Sequence, residues 1–280
     1  MNSTTLHDPR LVADNTEVVQ QIDALFDVAK REDPTRQNVL HLAAGTLAAL
    51  HIPEQVPAAR CAELVRALND VEFDTYDERR IFPPVLKLGP AVFDYYLDTG
   101  ISPDYWEHAD QSRRIWQEAV GGHEDPLATV VDALRSVWSG PVRPATVQGR
   151  ELYVGMIREL TGGARMHFDE VVREFPGVLD QDVIAQFGFN CYISVPDEGG
   201  ELVVYRRKWK PSDEQHRIGY GWSEDISAAE PRAVIKPEVG DSVYFDCRNY
   251  HAIRENVSGR RLTLSYFCGL TAENELVLWS

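Results

Sequence analysis

Two periods divide the chain. Up to about residue 145 the apolar positions recur every three or four residues. In NTEVVQQIDALFDVAK (15–30) Val18, Ile22, Leu25 and Phe26 fall on one face of a 3.6-residue repeat, with Asn15 or Thr16 where an N-cap belongs. AARCAELVRALND (58–70) repeats the stripe through Cys61, Leu64, Val65 and Leu68. EDPLATVVDALRSVW (124–138) opens with Asp125 as cap and Pro126 at the first helical position, where a missing N–H costs nothing. SGPVRP (139–144) then breaks the pattern. The expectation is an extended helical N-terminal half, 1–145, needing a surface to cover.

From about residue 150 the period becomes two. VIAQFGFNCYISV, GELVVYRRKW, DSVYFD and RRLTLSYFCG are β-branched or aromatic runs separated by PDEGG, PEVG and NVSG turns. No convincing helix lies between them, so parallel βαβ units are not expected and an antiparallel barrel or sandwich is. In the first run Phe187, Phe189, Cys191, Ile193 and Val195 share one face, expected to pack under the helices. Gln186, Gly188, Asn190, Tyr192 and Ser194 share the other, which faces either solvent or a functional cavity.

Composition adds exclusions. With a net charge of −16 over 280 residues, the chain lacks the basic surface that displaces counterions from nucleic acid or docks on anionic lipid. Its first residues, MNSTTLHDPR, have no apolar core of a secretory signal, and no window approaches the roughly 20 apolar residues of a membrane span. Cys61, Cys191, Cys247 and Cys268 are scattered, giving neither a zinc knuckle nor a disulfide framework. A cytoplasmic location is the expectation.

The candidate chemistry is a metal site. In ARMHFDE (164–170), His167 and Asp169 are two apart, so on a strand both point to one face. Of the other histidines, His251 is best placed, following a strand and a turn in GDSVYFDCRNYHAI. His7, His41, His51, His108, His123 and His216 read as surface or packing residues. Two histidines and a carboxylate form the facial set of non-haem iron(II) oxygenases, whereas zinc hydrolases usually carry a motif such as HExxH, absent here. Arg261 lies ten positions beyond His251, on one face with Thr263, Ser265 and Phe267. An arginine buried beside a metal calls for an anion, and its fork suits a carboxylate.

Taken in order over roughly residues 150–270, MHFDE, GGEL, GDSVYFD and HAIRENVSGRR resemble the catalytic domain of the 2-oxoglutarate- and Fe(II)-dependent oxygenases of the prolyl-4-hydroxylase-like type. The chain looks most like the small carrier-independent hydroxylases and halogenases, which act on amino acids, N-acyl amino acids or alkaloid-like metabolites. The resemblance implies an α+β protein whose double-stranded β-helix, or jelly-roll, core (146–280) packs against the helical region (1–145) as one integrated unit. It implies His167, Asp169 and His251 as iron ligands and Arg261 as partner of the distal carboxylate of 2-oxoglutarate. Asn190, Gln186 and Thr263 are further cosubstrate contacts, and O2 is the oxidant. Halogenases of this kind have a small residue in place of the carboxylate, so Asp169 points to hydroxylation, with desaturation, epoxidation or cyclisation as related outcomes. The expected partner is a small molecule met by the N-terminal region and by a lid at 208–231, with no nucleic acid or membrane, and a homodimer is one possible assembly. A metal cupin acting without 2-oxoglutarate and a non-catalytic β-barrel binding module are the competing readings.

Overall fold

The computed structural model describes residues 26–76, 81–97 and 100–280. Its strands, numbered in chain order, are β1 (Asp27–Lys30), β2 (Leu47–Ile52), β3 (Asp74–Thr75), β4 (Leu86–Leu88), β5 (Val142–Pro144), β6 (Met156–Glu159), β7 (Ala164–His167) and β8 (Val183–Ser194). They continue with β9 (Leu202–Lys208), β10 (Arg232–Ile235), β11 (Ser242–Phe245), β12 (Asn249–Ile253), β13 (Leu262–Thr271) and β14 (Leu276–Trp279). The main helices are α1 (Arg36–Ala44), α2 (Ala58–Leu68), α3 (Asp104–Val120) and α4 (Pro126–Val137).

Two sheets of unequal size make the sandwich. The larger runs β1-β2-β11-β8-β13-β6-β4-β3, with β14 pairing β13 and β5, and the smaller runs β7-β12-β9-β10. All pairings in the smaller sheet are antiparallel. The arrangement is a jelly-roll core in an α+β protein. The long β8 splits its faces as its sequence foretold. Phe187, Phe189, Cys191 and Ile193 join Leu42, Leu64 and Leu134 from the helices in one apolar layer. Gln186, Gly188 and Asn190 line a cavity on the opposite side.

The helices at 58–68 and 126–137 form as expected. Cys61, Leu64 and Leu68 are buried along α2, and the Asp125 carboxylate accepts the Leu127 N–H at 2.9 Å to cap α4. The extended helical N-terminal half does not form. Residues 27–30, read as the end of a helix, are a strand parallel to β2, and the rest of that stripe (15–25) lies outside the described residues, Phe26 excepted. The run LAALHI became β2, buried at every position but His51 and paired with β11. A strand covered on both faces shows no alternation, so its apolar run imitates a buried helix. The N-terminal region is therefore woven into the larger sheet at both edges, through β1 and β2 on one side and β3 and β4 on the other.

Candidate active site

The site forms where the smaller sheet opens toward the larger. β7 and β12 run antiparallel with His167 and His251 as direct partners, so their rings leave the same face with centroids 4.2 Å apart. β7 ends at His167. Asp169 stays beside its neighbour because its N–H donates to the Cys247 carbonyl at 2.9 Å, and its carboxylate turns to the histidine side. Phe168 points the other way, into an aromatic cluster with Trp209, Trp222 and Tyr250.

Asp169 Oδ2 lies 3.3 Å from His251 Nε2 and 3.8 Å from His167 Nε2. Three ligands on one face of an octahedron at about 2.1 Å from a metal stand roughly 3 Å apart, so this triangle is close to a ligand set. Backbone carbonyls fix the ring orientations: His167 Nδ1 meets Arg165 O at 2.7 Å and His251 Nδ1 meets Asn249 O at 3.1 Å. Each Nδ1 therefore carries the proton and each Nε2 presents a lone pair, as metal-ligating imidazoles do. Burial, and then the neighbouring His251, push the His167 pKa down to about 4. Burial raises that of Asp169, but the imidazoles of His167 and His251 outweigh it and hold the carboxyl at about 2. A neutral imidazole and an ionised carboxylate are the forms a divalent metal binds.

The cavity beside the triad encloses about 220 Å3. Arg261, 1% exposed, projects into it from the start of β13. Its Nε donates to Gly200 O at 3.2 Å and its guanidinium lies 5.0 Å from the Tyr192 ring centre. Nη1 and Nη2 have no hydrogen-bond partner, nor does the Tyr192 hydroxyl. Gly199 and Gly200 have φ of +85° and +73°, and a Cβ on Gly199 would collide with the Glu255 carbonyl, so the glycine pair shapes the strand entry that brings Gly200 O to Arg261. Arg260 leaves the opposite side and binds Glu159 Oε2 at 2.7 Å and Asn69 Oδ1 at 3.1 Å. An unpaired buried guanidinium costs several kcal/mol unless an anion meets it, which makes the pocket fit a carboxylate.

Of the other residues singled out by sequence, Asn190 lines the cavity and its Oδ1 lies 2.8 Å from Ser265 Oγ. Thr263 is fully buried behind it, 3.0 Å from the same hydroxyl. Gln186 also lines the cavity, but its Oε1 is occupied by the Val171 N–H. His51 bonds Asp241 and His108 bonds Asp74, both away from the triad, and His7 lies outside the described residues. Among the described residues His167, Asp169 and His251 are the group of three ligand-type side chains close enough to hold a metal.

Sequence reasoning missed Arg158 on β6 and Tyr76 after β3, both in the cavity wall. Of the segment 208–231, expected as a lid, Arg217, Tyr220 and Trp222 line the cavity. Arg217–Ile218 and Gly221–Trp222 pair as a small hairpin whose tip carries Tyr220, its ring centre 5.7 Å from that of His167. The Tyr220 hydroxyl accepts the Arg165 N–H at 2.8 Å, tying the lid to the strand that carries the first histidine.

This site in a jelly roll has counterparts. Residues 26–280 match the family model of the carrier-protein-independent halogenase WelO5. The chain belongs to that family, and it is an iron(II)- and 2-oxoglutarate-dependent oxygenase. It is 36% identical over 261 residues to the L-γ-glutamyl-L-propargylglycine hydroxylase of Streptantibioticus cattleyicolor, covering 92% of this chain and 97% of that protein. It is 28% identical over 239 residues to the leucinostatins biosynthesis cluster protein S of Purpureocillium lilacinum, covering 79% and 94%. The N-substituted L-amino acid dioxygenase of Burkholderia ambifaria AMMD shares the fold, with a TM-score of 0.54, 15% identity and coverage of 88% and 92%. Among the described residues no helix is long and apolar enough to cross a membrane.

Proposed function

We propose that the chain hydroxylates an unactivated C–H bond in the amino-acid unit of a γ-glutamyl dipeptide, with His167, Asp169 and His251 as iron ligands and Arg261 as anchor of 2-oxoglutarate. The observation that carries the residue roles is the pairing of two sets of unmet demands in one cavity. At one end three metal-type ligands converge, and at the other a buried guanidinium keeps two unpaired nitrogens. A keto acid with a second carboxylate at its far end answers both. The choice of substrate rests on the near full-length likeness to a hydroxylase of that substrate class.

Iron, 2-oxoglutarate and O2 supply the oxidising power, the keto acid leaving as succinate and CO2 as one oxygen atom enters the substrate. The protein's own share is positioning and exclusion of water. Arg261 fixes the cosubstrate by its fork, Asn190 contacts it from β8, and Thr263 acts through Ser265 to hold Asn190. Gln186 supports the wall by its bond to the Val171 N–H. Tyr220 covers the metal side, its ring centre 5.7 Å from that of His167. The described residues up to 145 and those of 146–280 work as one integrated unit, since strands from the first part pair into the sheet of the second.

The test is spectroscopic and then catalytic. Anaerobic Fe(II) with 2-oxoglutarate gives a weak visible charge-transfer band, and L-γ-glutamyl-L-propargylglycine stimulates succinate release. A folded protein without the band rules out the ligand assignment, and a band without stimulation rules out this substrate. Asp169→Gly removes a ligand and abolishes hydroxylation; normal turnover in that variant would show the carboxylate to be dispensable.

A further inference from the structure

Three arginines line the cavity; Arg217 is paired with Glu214 at 3.4 Å, and the other two are one more than the cosubstrate uses. Arg158 on β6 is cross-strand partner to both Thr263 on β13 and Lys87 on β4, so the three side chains stand in a row on the cavity face of the larger sheet. Arg261 belongs to the same face, two positions before Thr263. Each of the three cations on this face has a different account. Lys87, 2% exposed, is neutralised by Asp94 at 3.2 Å. Arg261 awaits the far carboxylate of 2-oxoglutarate.

Arg158 has no such partner. Its Nε lies 3.4 Å from Met156 Sδ and its guanidinium 5.6 Å from the Phe267 ring centre, and among the described residues no carboxylate forms an ion pair with it. Sulfur and ring contacts hold the plane of the fork without neutralising its charge. Half-buried Arg158 lines the same cavity as His167, Asp169 and Arg261. The Tyr76 hydroxyl, which donates to the same Met156 sulfur, stands next to it. Around these groups the wall is apolar, through Val85, Val92, Phe93 and Phe175. The guanidinium groups of Arg158 and Arg261 repel each other unless each meets an anion, and 2-oxoglutarate brings only one distal carboxylate.

We propose that Arg158 holds the carboxylate of the amino-acid unit that is oxidised, so the enzyme selects substrates with a free carboxylate close to the reacting carbon. A carbon presented to the metal keeps its own carboxylate within a few bonds, and Arg158 is the cation of the cavity wall left over once Arg261 holds the cosubstrate. The inference rests on the amino-acid substrate class proposed above, but not on the γ-glutamyl part of it.

The test uses the protein loaded anaerobically with Fe(II) and 2-oxoglutarate, titrated calorimetrically. The probes are L-propargylglycine, its N-acetyl derivative and its γ-glutamyl dipeptide, each as the acid and as the amide of the propargylglycine carboxyl. The wild-type chain binds an acid about tenfold or more tighter than its amide, the margin of a charge-assisted forked contact. Arg158→Gln removes that margin, and Arg158→Lys, which keeps the charge without the fork, restores part of it. In both variants the charge-transfer band and the affinity for 2-oxoglutarate stay within about twofold of wild type, because the cosubstrate belongs to Arg261. If Arg158→Gln does not fold, Arg158→Lys carries the comparison alone, with an intermediate margin expected. Loss of 2-oxoglutarate binding in the Arg158 variants would assign this arginine to the cosubstrate and overturn the proposal. So would equal binding of acids and amides by the wild type, or failure of every acid to bind. Arg158-dependent binding of the free or N-acetyl acid, with none of the dipeptide, overturns only the γ-glutamyl reading.

Discussion

Arg248 and Arg261 are both buried, thirteen residues apart in sequence, and built on opposite terms. Arg248 is paired: Asp246 takes its Nε at 2.7 Å and its Nη2 at 3.0 Å, and the carbonyls of Leu42 and Ala43 at the end of α1 accept from the same nitrogen. It joins the turn between β11 and β12 to a helix. Arg261 is left with one backbone bond and two idle nitrogens. Burial alone therefore says little about what an arginine does; the account of its donors separates a brace from a binding site.

The largest effect is expected from Arg248→Ala, which strands a fully buried Asp246 and costs about 3–5 kcal/mol of stability in chemical denaturation. A loss no larger than that of a surface variant would refute the brace. Arg261→Ala is expected to leave the ligand-free protein as stable as wild type or more so, while weakening 2-oxoglutarate binding by about tenfold to hundredfold. A variant that melted early but still bound the keto acid would reverse the assignments.

A smaller effect comes from pH. His167 has a folded pKa near 4, below its unfolded value of about 6.5, so between these limits the unfolded chain binds more protons. The metal-free protein therefore loses stability as pH falls through that window, and His167→Gln flattens the melting-temperature profile. An unchanged slope would show His167 to be freely protonated in the folded state. The least effect is expected from Arg260→Ala, next in sequence to Arg261 but paired at the surface with Glu159. It costs at most about 1 kcal/mol and leaves 2-oxoglutarate affinity as it was. A cosubstrate defect equal to that of Arg261→Ala would mean that the two side chains had exchanged roles.

What could be read from the sequence follows the range of the forces involved. The split of β8 into an apolar and a cavity face was legible because alternation is local. His167, Asp169 and His251 were legible because HxD is a two-residue geometry and the distal histidine follows a recognisable strand and turn. β2 was misread because complete burial erases the polar half of its pattern. Arg158 was invisible: its meaning comes from Thr263, Lys87 and Phe267, which reach it only through strand pairing, and MIRE alone reads as any short strand.

The two sheets divide the chemistry between them. His167 and His251 stand on the four-stranded leaf, and Arg261 rises from the ten-stranded one. A molecule gripped at both ends is thus a rivet through the sandwich, and the distance between the leaves becomes a gauge for its length. On the roles proposed above, a dicarboxylate one carbon shorter or longer than 2-oxoglutarate would not meet the triad and Arg261 at once with the leaves as they stand.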